Sequence, residues 1–258
     1  MSPTVDGLLD TFPGRLFLRE LRFFDRRGSS PLEFVDRAGL DLLVCCASWG
    51  VESYLHSGDP LEFVNIDRDD PELRAYAQAA ITTLARRTTF RSPQIHQGDL
   101  TVIRPPMVRC RTPLNALPSG AFWTSTRLDD RKDTWSDRGY NEKPRWEIHF
   151  DDEQVCVAQI SSAADWQQLI DSHPLEFEGT KYPDWAAIAE DCDAVHLTPL
   201  GLLLAHPTIS GRPFRSSDGS GTEHSRSGPY ISIGDWTTVS TAWMRPPLQA
   251  MIRSADPA

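Results

Sequence analysis

The sequence predicts an α+β fold, a mixed and mainly antiparallel sheet core with flanking helices. Three observations predict it. A strong helical period occupies residues 71–87, short β-type runs outnumber helices after residue 99, and the links between those runs are too short for repeated βαβ crossovers. At 258 residues, with 40% apolar and 24% charged side chains, the chain has enough material for one large domain or two small ones.

Spacing fixes the helix over 71–87. Leu73, Tyr76, Ala77, Ala80, Ile81, Leu84 and Ala85 fall on one continuous face. Asp70 suits the N-cap, Pro71 suits the first helical position, and Arg86 and Arg87 complement the negative end of the helix dipole. A second helix is predicted from Ser162, with Asp165 three residues later in a capping-box-like arrangement. Trp166, Leu169 and Ile170 form its buried stripe and Pro174 ends it. A third starts near Pro183, with Trp185, Ile188, Ala189 and Cys192 on one side.

The predicted strands are residues 61–66, 100–104, 146–150, 155–160, 194–198, 202–205 and 230–233, with 242–245 a further candidate. In 146–150 the apolar Trp146, Ile148 and Phe150 alternate with Glu147 and His149, the pattern of a half-buried strand. Residues 155–160 and 194–198 read as more deeply buried strands. The polar stretch 92–98 reads as a connector and puts a boundary near residue 98, between an N-terminal α/β region (1–98) and a second domain (99–258). Residues 128–144 and 210–228 read as loops, the second rich in Gly, Ser and charge.

The formal net charge of −10 weighs against general coating of nucleic acid. Local basic clusters occur at Arg15, Arg19, Arg22, Arg26 and Arg27, and at Arg104, Arg109 and Arg111; such clusters are most often solvated faces. Five cysteines, an odd number with no CxxC, argue against a disulfide framework and for a reducing compartment. With neither a secretory leader nor a long apolar run in the sequence, a cytoplasmic protein without a membrane partner is expected.

Neither GxGxxG nor GxxxxGK[ST] occurs, nor do GxSxG or HExxH, so dinucleotide-fold, P-loop, hydrolase-elbow and zincin chemistry have no motif support. His149 with Asp151 and Asp152 is a short oxygen-and-imidazole cluster of the kind a divalent ion accepts, and it keeps a metal-dependent hydrolase among the alternatives; no metal ligand is assigned. His196, flanked by apolar residues, reads as a satisfied core histidine or as a donor to a ligand. The most suggestive stretch is Gly120, Ala121, Phe122, Trp123, Thr124, Ser125, Thr126. Its hydroxyls could bond a ribose and its aromatics could stack on a flat cationic ring, although Thr and Trp also simply favour strands.

Residues 122–126 resemble the aromatic and hydroxyl-rich strand of ADP-ribosyltransferases. The resemblance implies an ADP-ribosyltransferase-like fold over residues 99–258, with NAD as substrate. It implies that Arg104, on the upstream strand, grips the NAD phosphates. Trp123, Thr124, Ser125 and Thr126, with Trp135 nearby, would line the nicotinamide-ribose pocket beside His196. Residues 120–126, 161–169, 183–185, 193–198, 235–236 and 240–243 also resemble a group of actinobacterial proteins. In those relatives an acid is expected just before the Ser-Thr of the last strand, where this chain has Val239. Glu147 and His196 are therefore the catalytic candidates, with Glu178 and Glu223 as alternatives for the acid. The implied activity is ADP-ribosyl transfer, or NAD cleavage, with a protein, nucleic acid or small molecule as acceptor. The alternative is a non-catalytic ligand- or protein-binding module on the same scaffold.

Overall fold

The computed structural model describes residues 4–56, 67–100, 108, 117–136, 143–206, 230–231, 233, 236–246 and 251–254. Its first third is helical. Helices α1 (Val5–Asp10), α2 (Phe12–Phe24), α3 (Pro31–Arg37), α4 (Leu40–His56) and α5 (Pro71–Ala85) precede the first strand among the described residues. Thr11 alone separates α1 from α2: its hydroxyl accepts from Gly14 N to cap α2 and donates to the Leu203 carbonyl at 2.8 Å. Asp70 caps α5 through the amides of Glu72 and Leu73, as the sequence predicts. Gly50 lets α4 cross α2 closely, because a Cβ there would lie 2.7 Å from the Pro13 carbonyl.

Downstream come β1 (Gln94–Gln97), β2 (Phe122–Thr126), β3 (Arg145–His149), β4 (Val157–Ile160), α6 (Ala163–Ser172), the two-stranded ribbon β5 (Pro174–Phe177) and β6 (Thr180–Pro183), α7 (Trp185–Asp191), β7 (Ala194–Leu197), α8 (Pro199–Leu204), β8 (Ser240–Trp243) and β9 (Met251–Ser254). The main sheet runs β4-β7-β8-β2-β1-β3-β9. Only β4 and β7 pair in parallel, through the α6–α7 crossover; the other neighbours are antiparallel. The fold is thus α+β with a mixed, mainly antiparallel sheet and flanking helices.

Several elements differ from expectation. The polar 92–98 stretch contains β1, a central strand whose Gln94 and Gln97 side chains are buried. Residues 202–205 were expected as a strand and instead end α8, because Thr198 caps that helix and Pro199 starts it. Gly201 seats α8 against the sheet, where any Cβ would collide with the Ile160 carbonyl. Val157 and Ala158 are half-buried and Gln159 is exposed because β4 is the sheet edge, and only Ile160 of this strand is buried. The expected strand at 61–66, and 101–104 of that at 100–104, lie outside the described residues.

The largest core cluster takes Leu8, Phe17, Leu43, Tyr76 and Ile81 from the N-terminal helices together with Val195, Leu203, Trp236 and Ala242 from the C-terminal half. The proposed boundary near residue 98 falls directly behind β1, which pairs with β2 and β3. A smaller cluster on the sheet gathers Phe90, Ile148, Phe150, Ala194 and Trp243.

Candidate functional site

The register of the sheet explains where the hydroxyl-rich strand points. Thr124 lies opposite Thr241, Thr126 opposite Gln94, and Thr241 opposite His196. With a side-chain period of two, these residues share one face of the sheet with Trp243. All five are essentially without solvent contact. The Thr124 hydroxyl donates to Gln94 and accepts from the Trp243 indole N–H at 2.8 Å. Thr126 donates to the Thr89 carbonyl at 3.1 Å. His196 is held by the hydroxyls of Thr89 (2.7 Å) and Thr241 (2.8 Å), and burial pushes its pKa down to about 3, so the imidazole is neutral. Ser125, on the opposite face, donates to the Ile95 carbonyl at 3.1 Å. The hydroxyls are thus consumed in a polar network inside the sheet, in which the buried Gln94 Nε2 has no partner among the described residues.

The remaining sequence candidates separate. Trp123 is half-buried, edge-on to Trp236 at 5.1 Å, and its carbonyl is bonded to His96 at 2.9 Å. Trp135 donates its indole N–H to Thr238 at 3.1 Å. Glu147 is half-buried on β3, accepting from Arg127 at 3.0 Å and bonded to His149 at 3.0 Å. The structure therefore brings Thr124, Thr126 and His196 together and leaves Glu147 in a separate ion-paired cluster. Val239, where an acid was expected, is fully buried. Arg104 lies outside the described residues, as do Arg109, Arg111 and Glu223. Asp151 caps a turn through Glu153 N, Asp152 accepts from Ser92 N, and among the described residues no three His, Cys, Asp or Glu side chains gather as metal ligands. The N-terminal arginines also find local partners: Arg15 donates to the Leu9 carbonyl, Arg19 pairs with Glu20, and Arg22 with Asp70 and Glu72.

An open groove lies instead where the helices meet the turn after β2. Leu40 and Asp41 at the start of α4, Arg86, Arg87, Thr88 and Arg91 beyond the end of α5, and Leu128 and Asp129 enclose about 440 Å³. Its acids have local partners: Asp129 accepts from the Arg131 and Lys132 amides, which hold its carboxyl below the usual range, and Asp41 faces Lys132 at 3.9 Å. Arg91 donates to the Arg127 carbonyl at 3.3 Å. The guanidinium groups of Arg86 and Arg87 have no ion-pair or hydrogen-bond partner among the described residues. Through Asp41 and Leu128 the groove adjoins a narrow slot lined by Val44, Cys45, Ser48, Trp49, Asp133 and Thr134. Trp49 is 53% exposed there. Beneath it the Asp133 carboxylate takes Arg145 at 2.8 Å, Gln97 at 3.1 Å and the Trp135 amide at 2.7 Å, which fixes the floor.

Sequence reasoning missed this groove because Arg86 and Arg87 have a sufficient local explanation as partners of the helix dipole. The available signal was Arg91, one further positive charge soon after the helix has ended. No family model, no curated protein and no solved structure matches the chain. No helix among the described residues is long and apolar enough to cross a membrane.

Proposed function

We propose that this chain is a binding module for a phosphate-bearing small molecule of the nucleotide class, NAD included, seated in the Arg86–Arg87–Arg91 groove. The observation that carries the proposal is the pair of guanidinium groups, without a partner among the described residues, in a cavity of about 440 Å³ on a chain of net charge −10. Guanidinium matches phosphate oxygens in a two-pronged geometry, and a local positive site on an acidic surface favours a compact anion over a nucleic-acid backbone. Trp49, exposed on α4 near the groove, offers a face for a flat ring. The free thiols of Cys45, Cys46, Cys156 and Cys192 support a reducing, cytoplasmic setting.

Calorimetric titration with inorganic pyrophosphate and with NAD tests this. Both are expected to bind, to weaken with added salt, and to lose about tenfold in affinity in Arg87→Ala, the size of one charge-assisted contact. Trp49→Ala is expected to weaken NAD alone. Absence of binding by both ligands, or binding indifferent to Arg87→Ala, sinks the proposal.

ADP-ribosyl transfer is the second reading, favoured by one specific observation. Glu147 is gripped by Arg127, whose carbonyl is held by the groove residue Arg91. That reading expects the groove to hold the NAD phosphates and Glu147 to stabilise the positive charge that develops as nicotinamide leaves. Nicotinamide release that vanishes in Glu147→Gln supports it; NAD binding without release leaves the binding module as the account.

A further inference from the structure

The sheet edge remote from β3 carries an arrangement that nothing above uses. Cys156 precedes β4 and is exposed; Cys192 follows α7 as its C-cap and is half-buried. Asp193 clasps the two segments together. Its amide donates to the Cys156 carbonyl at 2.8 Å, and its carboxylate accepts from the Cys156 amide at 2.9 Å. The clasp sets the two cysteines on neighbouring segments, near enough for Cys156 to push the Cys192 thiol up, and Cys156 Sγ donates to the Asp191 carbonyl at 3.3 Å. Cys45 and Cys46 are adjacent in sequence within α4, on a single segment.

We propose that Cys156 and Cys192 form a peroxide-sensitive dithiol in which exposed Cys156 is the attacking sulfur and Cys192 the resolving one. In the first step the Cys156 thiolate attacks hydrogen peroxide. The O–O bond breaks, Cys156 becomes the sulfenic acid, and hydroxide leaves and takes up a proton as water. In the second step the Cys192 sulfur attacks the sulfenic sulfur, the S–O bond breaks, and a second water carries away the Cys192 proton. Two thiols and one peroxide thus give one disulfide and two waters. The division of roles follows from the surroundings. Burial, then the neighbouring Cys156, push the Cys192 thiol up to about 11, which keeps it protonated until a partner sulfur is presented. The Asp193 clasp already holds the two backbone segments side by side.

Treating the purified full chain with hydrogen peroxide and mapping its peptides without reduction tests the assignment. The expected product is a Cys156–Cys192 link, a loss of about 2 Da that dithiothreitol reverses. In Cys192→Ser, Cys156 is expected to stop at a sulfenic acid that dimedone traps; in Cys156→Ser, Cys192 is expected to stay reduced. A trivalent arsenical, which needs two adjacent thiols, is expected to bind once per chain and to be lost in each variant. A different partner for Cys156, oxidation of Cys192 in Cys156→Ser, or accumulation of Cys156 sulfinic acid in the wild type in place of the link overturns the proposal.

Discussion

The polar centre of the sheet and the arginine groove hold similar numbers of hydrogen-bonding side chains and differ in what those side chains have left to offer. In the centre, Thr124, Thr126, His196 and Thr241 satisfy one another or nearby groups and see no solvent. In the groove, Arg86 and Arg87 are exposed and their guanidinium groups have no described partner. A polar residue is informative about ligands through its unmet bonding capacity, and residue type alone does not report that. The centre is structural by this measure, and the groove is available.

One test of the contrast strikes the Asp133 floor beside the groove. Arg145→Ala removes the cation from the fully buried Asp133 side chain. It is expected to cost about 3 kcal/mol in urea unfolding, the lower end for a broken buried pair because Gln97 and the Trp135 amide remain. Acid strikes the centre next. The folded pKa of His196 lies near 3, below its unfolded value of about 6.5, so the unfolded chain binds the extra proton. This contribution is complete above pH about 6.5 and is lost as pH falls toward 3, with a slope of about 1.4 kcal/mol per pH unit. Urea midpoints measured across that window are expected to lose this slope in His196→Asn. The smallest effects form a matched pair. Thr124→Val is expected to cost about 1–2 kcal/mol of stability while leaving pyrophosphate affinity unchanged, since it strands Gln94 and the Trp243 indole. Arg87→Ala is expected to do the reverse, moving stability by less than about 0.5 kcal/mol. If Thr124→Val weakens binding instead, the sheet centre is in contact with ligand and the contrast fails.

Much of the fold is legible in the sequence where local signals agree. Asp70, Pro71 and the apolar period mark α5; Ser162 and Trp166 mark α6; the alternation of Trp146, Ile148 and Phe150 marks β3. The four helices before residue 57 are less legible. In α4 the segment Leu42–Ala47 is nearly all apolar, so it has no polar face to reveal a period, and α1 and α2 are divided by a single residue. β1 hides for the opposite reason: its glutamines are polar in sequence and buried in the sheet, where partners such as Thr124 and Asp133 accept or supply their hydrogen bonds. The aromatic-hydroxyl strand is placed correctly as β2, residue for residue. Whether its hydroxyls face a ligand or each other depends on which strands lie alongside, and that is a property of register between segments more than a hundred residues apart.

The strand order carries a consequence for how the molecule is made. β8 lies between β7 and β2, so it is the piece that joins β4-β7 to β2-β1-β3. It occupies Ser240–Trp243, after β1, β2, β3, β4 and β7 in chain order. A polypeptide emerging from the ribosome therefore carries two incomplete half-sheets, each with an unpaired edge, until residues 240–243 have emerged. Nascent chains stalled before residue 240 would expose those edges to each other and to neighbouring chains.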